Sequence, residues 1–139
     1  MNKKNLLLSG VVVFIAYQVL DFVTHEVLMR SGYDATAQVW RPQEEMMSFM
    51  WIFIVVNLLW SFIFVYLFDQ MNKGRGIQEG IKYGFCIGLF VVTPMAYNTY
   101  VVLPVPHSMA LGWFVYGMIK VMACGAVLSL VHKPVQAAS

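Results

Sequence analysis

Four long apolar runs, each separated from the next by a short polar stretch, dominate this chain. They cover Asn5 to Met29, Met46 to Phe68, Lys82 to Leu103 and Met109 to Val131. Each is about 20 residues or longer, enough as a helix rising about 1.5 Å per residue to cross roughly 30 Å of hydrocarbon. The pattern predicts an all-α integral membrane four-helix bundle. It forms a single transmembrane domain over residues 1–139, with spans at about 6–28, 46–68, 82–103 and 109–131. The first run follows Lys3 and Lys4, as a signal peptide would. It is longer than the roughly 7–15 apolar residues of such a peptide and offers no small-x-small cleavage site, so it reads as a retained helix.

The breaks between runs carry start and stop signals. Gly32, with Arg30 just before it, is expected to end the first helix. Tyr33 and Trp40 in the following connection suit a membrane interface. Pro42 fits the first position of the second helix, whose dipole favours Glu44 and Glu45 in its first turn. Asn72-Lys73-Gly74 closes that helix. Ser108 is expected to cap the fourth, after the stiff Leu103-Pro-Val-Pro-His107 connection, and Pro134 to limit its end.

The third run has its own pattern. Gly76, Gly80, Gly84 and Gly88 are four apart and therefore share one helix face. In lipid, helices associate largely by close packing, so such a face admits another backbone. Gly76 and Gly80 fall at or outside the surface by hydropathy, which leaves Gly84 and Gly88 as the packing positions. Further along, Pro94 lacks the N–H that would bond the Phe90 carbonyl, which kinks the helix or lines a cavity.

Composition strengthens the membrane reading. The 139 residues are 60% hydrophobic and 12% charged, against about 25% charged in ordinary soluble domains, and the mean hydropathy is +0.68. A net charge of +2 from scattered basic residues excludes nucleic acid as a partner. Lys3, Lys4, Lys73, Arg75, Lys82 and Lys133 fall on one side of the spans, while Arg30 and Arg41 flank the other. The positive-inside rule then puts both termini in the cytoplasm. Cys86 and Cys124 sit in separate apolar runs, outside any ligand spacing, and read as inert thiols.

The polar residues inside the runs are informative because burying them in lipid is costly. An ionisable side chain near the bilayer centre costs at least about 2.5–3.5 kcal/mol and faces the bundle interior. Asp21 and Lys120 qualify. Asp21 lies roughly 10 Å below Leu28, and Lys120 roughly 16 Å below Met109, by helical rise. Side chains lean toward their helix N-terminus, which lifts the Lys120 ammonium toward the level of Asp21. A buried Asp21–Lys120 pair is therefore expected. Gln18, Asp21 and His25 share a face of the first helix, Asn57 and Ser61 one of the second, and Tyr116 precedes Lys120 by four. With Tyr97 and Asn98, beyond Pro94, they outline a polar pocket in the outer half of the bundle. The same Gln18, Asn57, Ser61 and Asn98 also suit plain interhelical hydrogen bonding, worth about 0.6 kcal/mol each on average. His25 equally suits a solvated interface position.

Candidate chemistry is sparse. His25 and His107 are the possible ligands for metal or haem, but no paired histidines at matching depth and no HExxH or CxxCH support them, so no cofactor is expected. A Gly-x-Ser-x-Gly elbow and a phosphate loop are both missing, which leaves no catalytic residue to name. Two functions remain. The first is a non-catalytic accessory subunit or small-molecule-binding protein, with the lipid bilayer and other membrane subunits or further copies as partners. The second is an oligomeric ion, proton or small-solute transporter using the same intramembrane residues.

Three stretches carry a resemblance: Trp40-Arg41-Pro42 with Glu44-Glu45-Met46, the EG-x-x-YG-x-x-x-G run from Glu79 to Gly88, and the run from Pro94 to Ser108. Together they resemble a group of small four-span bacterial membrane proteins of uncharacterised activity. The resemblance spans most of the chain and implies a bacterial inner membrane; it implies no activity, cofactor or site residue.

Overall fold

The computed structural model describes residues 3–132, and every regular element among them is helical. Helix α1 (Lys3–Phe22) runs on through a π-helical turn at Val23–Leu28. Two short helices follow, α2 (Arg30–Ala35) and α3 (Gln43–Ser48), with a 3-10 turn at Ala37–Val39 between them. Then come α4 (Met50–Met71), α5 (Ile77–Val102) and α6 (His107–Val131). Four helices are long and apolar enough to cross a membrane: Lys3–Leu28, Met50–Met71, Ile77–Val102 and His107–Val131.

Several helix ends differ from the sequence expectation. The first helix ends at Met29, whose φ of −107° and ψ of 1° break the regular geometry, and Gly32 lies inside α2. Pro42 precedes the first turn of α3 as its cap, at φ −52° and ψ 144°, because an extended ψ there lets the helix start at Gln43. The second span is divided at Phe49 (φ −102°, ψ 1°), which separates α3 from α4. Ser108 caps nothing: Pro106, extended at ψ 149°, already turns the chain into α6 at His107. Lys133 and Pro134 lie outside the described residues.

The helices pack in the spatial order α4–α1–α6–α5, with α5 against α6 the most extensive contact. Glycine explains why. A Cβ on Gly84 would stand 2.6 Å from the Val121 carbonyl oxygen and 2.7 Å from the Met122 Cα. At Gly80 it would overlap the Gly125 carbonyl oxygen, and Gly125 in turn faces the Gly80 carbonyl. Gly88 meets only the Met118 side chain, at 2.9 Å. The tightest backbone approach is thus at Gly80, one turn before the first packing glycine expected from hydropathy, because Gly125 on α6 offers it a matching gap. α5 runs unbroken through Pro94.

Aromatic rings close the other seam. Tyr83 on α5 donates its hydroxyl to the Phe64 carbonyl of α4 at 2.6 Å, and its ring lies 4.7 Å from Phe64 and 5.2 Å from Phe68. Phe64, Phe68, Val13, Cys124 and Leu128 are fully buried there. This core fills the half of the bundle nearer the chain termini.

Candidate functional site

Asp21 lies one turn before His25 on the last stretch of α1, and the π turn at Val23–Leu28 carries His25 itself. A π turn re-aims the side chains on it by inserting a residue into the helical ladder. From α6, Lys120 donates its ammonium to the Asp21 carboxylate as an ion pair. The same carboxylate oxygen lies 3.6 Å from His25 Nε2. The Lys120 ammonium also sits 4.4 Å from the centre of the Tyr17 ring, a cation–π contact. Tyr17 is one turn before Asp21 and His25 one turn after it, so two groups on the same stripe of the first helix flank the charge pair.

A line of polar contacts reaches this pair from the Trp40 end of the bundle. Trp113 Nε1 lies 2.7 Å from the Tyr33 hydroxyl, and that hydroxyl lies 2.7 Å from His25 Nδ1. An indole N–H only donates, so the Tyr33 oxygen accepts from Trp113, and it shares a second hydrogen bond with His25 Nδ1 whose direction follows the imidazole tautomer. The tautomer in which Nδ1 accepts from Tyr33 carries its imidazole proton on Nε2, toward Asp21. Tyr33 is fixed further by the ring of Trp40 at 5.3 Å, and Trp40 donates its Nε1–H to Thr36 at 3.0 Å. Trp113, Tyr33 and His25 thus form a chain of polar contacts that ends on the Asp21 carboxylate.

Burial pushes the Tyr33 phenol above its ordinary value, with the Trp113 hydrogen bond opposing the shift. A phenol with a raised folded value favours folding fully below its unfolded value of about 10, and that contribution is lost as pH climbs through the folded value. The absorbance difference near tyrosinate between wild type and Tyr33→Phe is expected to show a single group titrating above about pH 10. A midpoint at or below the free phenol value would contradict this buried geometry.

The other expected site residues divide. Asn57 donates from Nδ2 to the Gln18 carbonyl oxygen at 2.8 Å, binding α4 to α1 one turn below Asp21. Ser61 is buried and bonds back to the Asn57 carbonyl at 2.7 Å. Tyr97 does not join this group; it packs on the Phe114 and His107 rings, both 6.1 Å away. Asn98 is exposed. Tyr116 lines a separate open groove of about 390 Å³ with Met29, Gly32, Met109 and Gly112, which touches neither Asp21 nor Lys120. His107 sits against Tyr97 and Tyr100, so the two imidazoles considered as ligands have separate partners. Among the described residues no three His, Cys, Asp or Glu side chains come together as a metal site.

A second polar cluster lies near the chain termini, and sequence reading misses it. His132 Nε2 lies 2.7 Å from the Asp69 carboxylate, and His132 Nδ1 lies 3.1 Å from the Ser9 hydroxyl. A carboxylate only accepts, so Nε2 donates to Asp69, while Nδ1 shares a hydrogen bond with the Ser9 hydroxyl. Ser9 is 0% exposed and His132 2%, so the hydroxyl is closed to any substrate. The cluster ties α1, α4 and α6 together. It stands twelve residues from Asp21 along α1 and twelve from Lys120 along α6, which is about 18 Å of helix. Between the two clusters lie Val13, Cys124 and Leu128, all 0% exposed.

Simple spacing would have found Tyr17 and Trp113, which stand four and seven residues from Asp21 and Lys120 on the same helix faces. Tyr33 had no such signal, because α2 folds it back onto α1 from a connecting segment. In comparisons with known proteins, no family model, no curated protein and no solved structure matches this chain.

Proposed function

We propose that this chain is a multi-pass protein of the bacterial inner membrane, N-in and C-in, that binds a small molecule at the Asp21–Lys120 pair and works as a non-catalytic accessory component. The observation that carries the reading is an ion pair left partly open. Lys120 is 9% exposed, while Asp21 and His25 keep 24% and 35% of their side chains exposed. The opening has a structural cause. The Asn57–Gln18 bond sets an antiparallel register in which Asp21 and His25 lie level with about Ile54 and Met50. Those α4 residues are 49% and 43% exposed, so α4 does not cover the pair there. A charge pair with an open side, a neighbouring imidazole and an aromatic platform suits a polar molecule that enters laterally from lipid.

Native mass spectrometry from mild detergent tests this. The wild-type protein is expected to carry a small-molecule adduct that the charge-free Asp21→Asn/Lys120→Met double variant loses. A wild type that is free of adduct, or an adduct that the double variant retains, would refute the binding reading. Co-purifying larger subunits would identify the assembly it serves.

The line of polar contacts from Trp113 to Asp21 favours a second reading, proton or solute transport. Against it stands the buried apolar layer of Val13, Cys124 and Leu128 between the two polar clusters, which a single chain does not bridge. Proteoliposomes holding a pH-sensitive dye are therefore expected to show no proton flux above empty vesicles. A flux abolished by Asp21→Asn would reverse the order of the two readings.

A further inference from the structure

The α4–α5 turn builds a charged groove that the Asp21–Lys120 site does not use. Glu79 accepts the backbone N–H groups of Lys73 and Arg75, both at 2.8 Å, and Asn72 accepts the Gly74 N–H at 2.9 Å. Gly74 and Gly76 both adopt φ 73°, which a residue with a Cβ rarely does. The turn is therefore held by its own backbone, and its cationic side chains are left over. They converge on a groove of about 290 Å³, with Lys73, Arg75 and Lys82 on its rim and Phe68, Tyr83 and Cys86 along its floor.

None of these three cations has an ion-pair partner among the described residues. With Glu79 as the one carboxylate lining the groove, three positive charges and one negative leave it a net +2. Below the rim the surface turns apolar. Leu67 on α4 and Leu89 on α5 are 39% and 41% exposed, and Phe90 is 80% exposed. Here α4 and α5 meet through the rings of Phe64, Phe68 and Tyr83 rather than by close backbone packing. The result is a cationic rim above an apolar track, at the end of two helices long enough to span a bilayer.

We propose that this groove is a binding site for an anionic phospholipid, its phosphate held by Lys73, Arg75 and Lys82 and an acyl chain lying between α4 and α5. The argument is charge complementarity. Three cationic side chains against the single Glu79 carboxylate leave positive charge in excess, which favours a phosphate placed at headgroup level. The site does not depend on any ligand at Asp21 and Lys120.

Cys86 supplies the reporter, since it is exposed within the groove while Cys124 is buried. The rate of Cys86 alkylation by a maleimide is measured on the full chain in a neutral detergent. Added phosphatidylglycerol is expected to slow the reaction severalfold, and phosphatidylcholine or inorganic phosphate to leave it unchanged. In K73Q/R75Q/K82Q, phosphatidylglycerol is expected to give no slowing relative to that variant's own lipid-free rate. No protection in wild type, equal protection by phosphatidylcholine, or protection that persists in the triple variant overturns the proposal. Equal protection by inorganic phosphate also overturns it, by showing a site for the free anion rather than for lipid.

Discussion

Replacing Gly84 by leucine is expected to separate α5 from α6 and to leave a protein that aggregates in detergent. The first atom added already fails to fit, at 2.6 Å from the Val121 carbonyl oxygen and 2.7 Å from the Met122 Cα. Both obstacles are backbone, and backbone in a packed helix pair cannot swing aside as a side-chain end can. Overpacking in a tight interior costs about 1–3 kcal/mol and occasionally more. A leucine also pushes apart the contact on which this half of the bundle depends, since small residues are what allow helices to associate in lipid. Gly112→Ala is the matched control. Its Cβ would meet only the end of the Met29 side chain, the methyl at 2.9 Å, which rotates away at little cost. Thermal unfolding followed by size-exclusion chromatography in detergent should therefore show Gly112→Ala near wild type and Gly84→Leu lost at ambient temperature. Equal stability of the two would mean that the α5–α6 contact does not hold the bundle together.

The gap between these two glycines also shows what a sequence conveys and what it leaves out. Apolar run length gives the four long helices, because bilayer thickness and helical rise leave little freedom. Four-residue spacing gives the glycine face of α5. It cannot give the depth of closest approach, since Gly80 packs where it does only because Gly125 lies opposite on α6. Asp21 and Lys120 are legible as partners because each is costly alone and their depths can be compared. Gln18 and Asn57 are legible only as members of polar faces; their mutual bond depends on the α1–α4 register.

The remaining polar chemistry is not legible for a different reason. The Tyr33–His25 and His132–Ser9 contacts join segments eight and 123 residues apart. The first separation would read as one helix face, but the helix breaks between the two residues; the second is too long for any local pattern. Tyr33 reaches His25 because the first helix breaks at Met29, three residues before the glycine expected to stop it, so that α2 turns the ring inward. Tyr97 and Asn98 illustrate the reverse error. Following Pro94 made them look like the wall of a pocket, but α5 stays helical through the proline, with Tyr97 against Phe114 and His107 and Asn98 exposed. Local signals fix where helices are; which polar groups meet depends on rotation about each axis, and the packing of α5 on α6 and α4 on α1 decides that.

Removal of Lys120 alone is expected to cost more than removal of Lys120 and Asp21 together. In Lys120→Met the Asp21 carboxylate keeps only His25, at 3.6 Å, as a partner in a medium with little water. Breaking one side of a buried pair costs about 3–5 kcal/mol, most of it for the stranded charge. Asp21→Asn strands the opposite charge: the Lys120 ammonium is left with the Tyr17 ring at 4.4 Å and no anion. In the double variant Asp21→Asn/Lys120→Met no net charge remains, and well-packed neutral replacements of buried pairs are often close to neutral in stability. The double-mutant cycle in detergent unfolding is thus expected to be strongly non-additive, with the double variant more stable than either single one. Strict additivity would mean that the two charges are separately solvated, through the open side beside α4, and that the pair does not hold α1 to α6. The comparison also separates structure from binding. If the double variant folds as well as wild type yet loses its adduct, stability does not require the charges. Their presence in a span where each costs at least about 2.5 kcal/mol would then be explained by the molecule they hold.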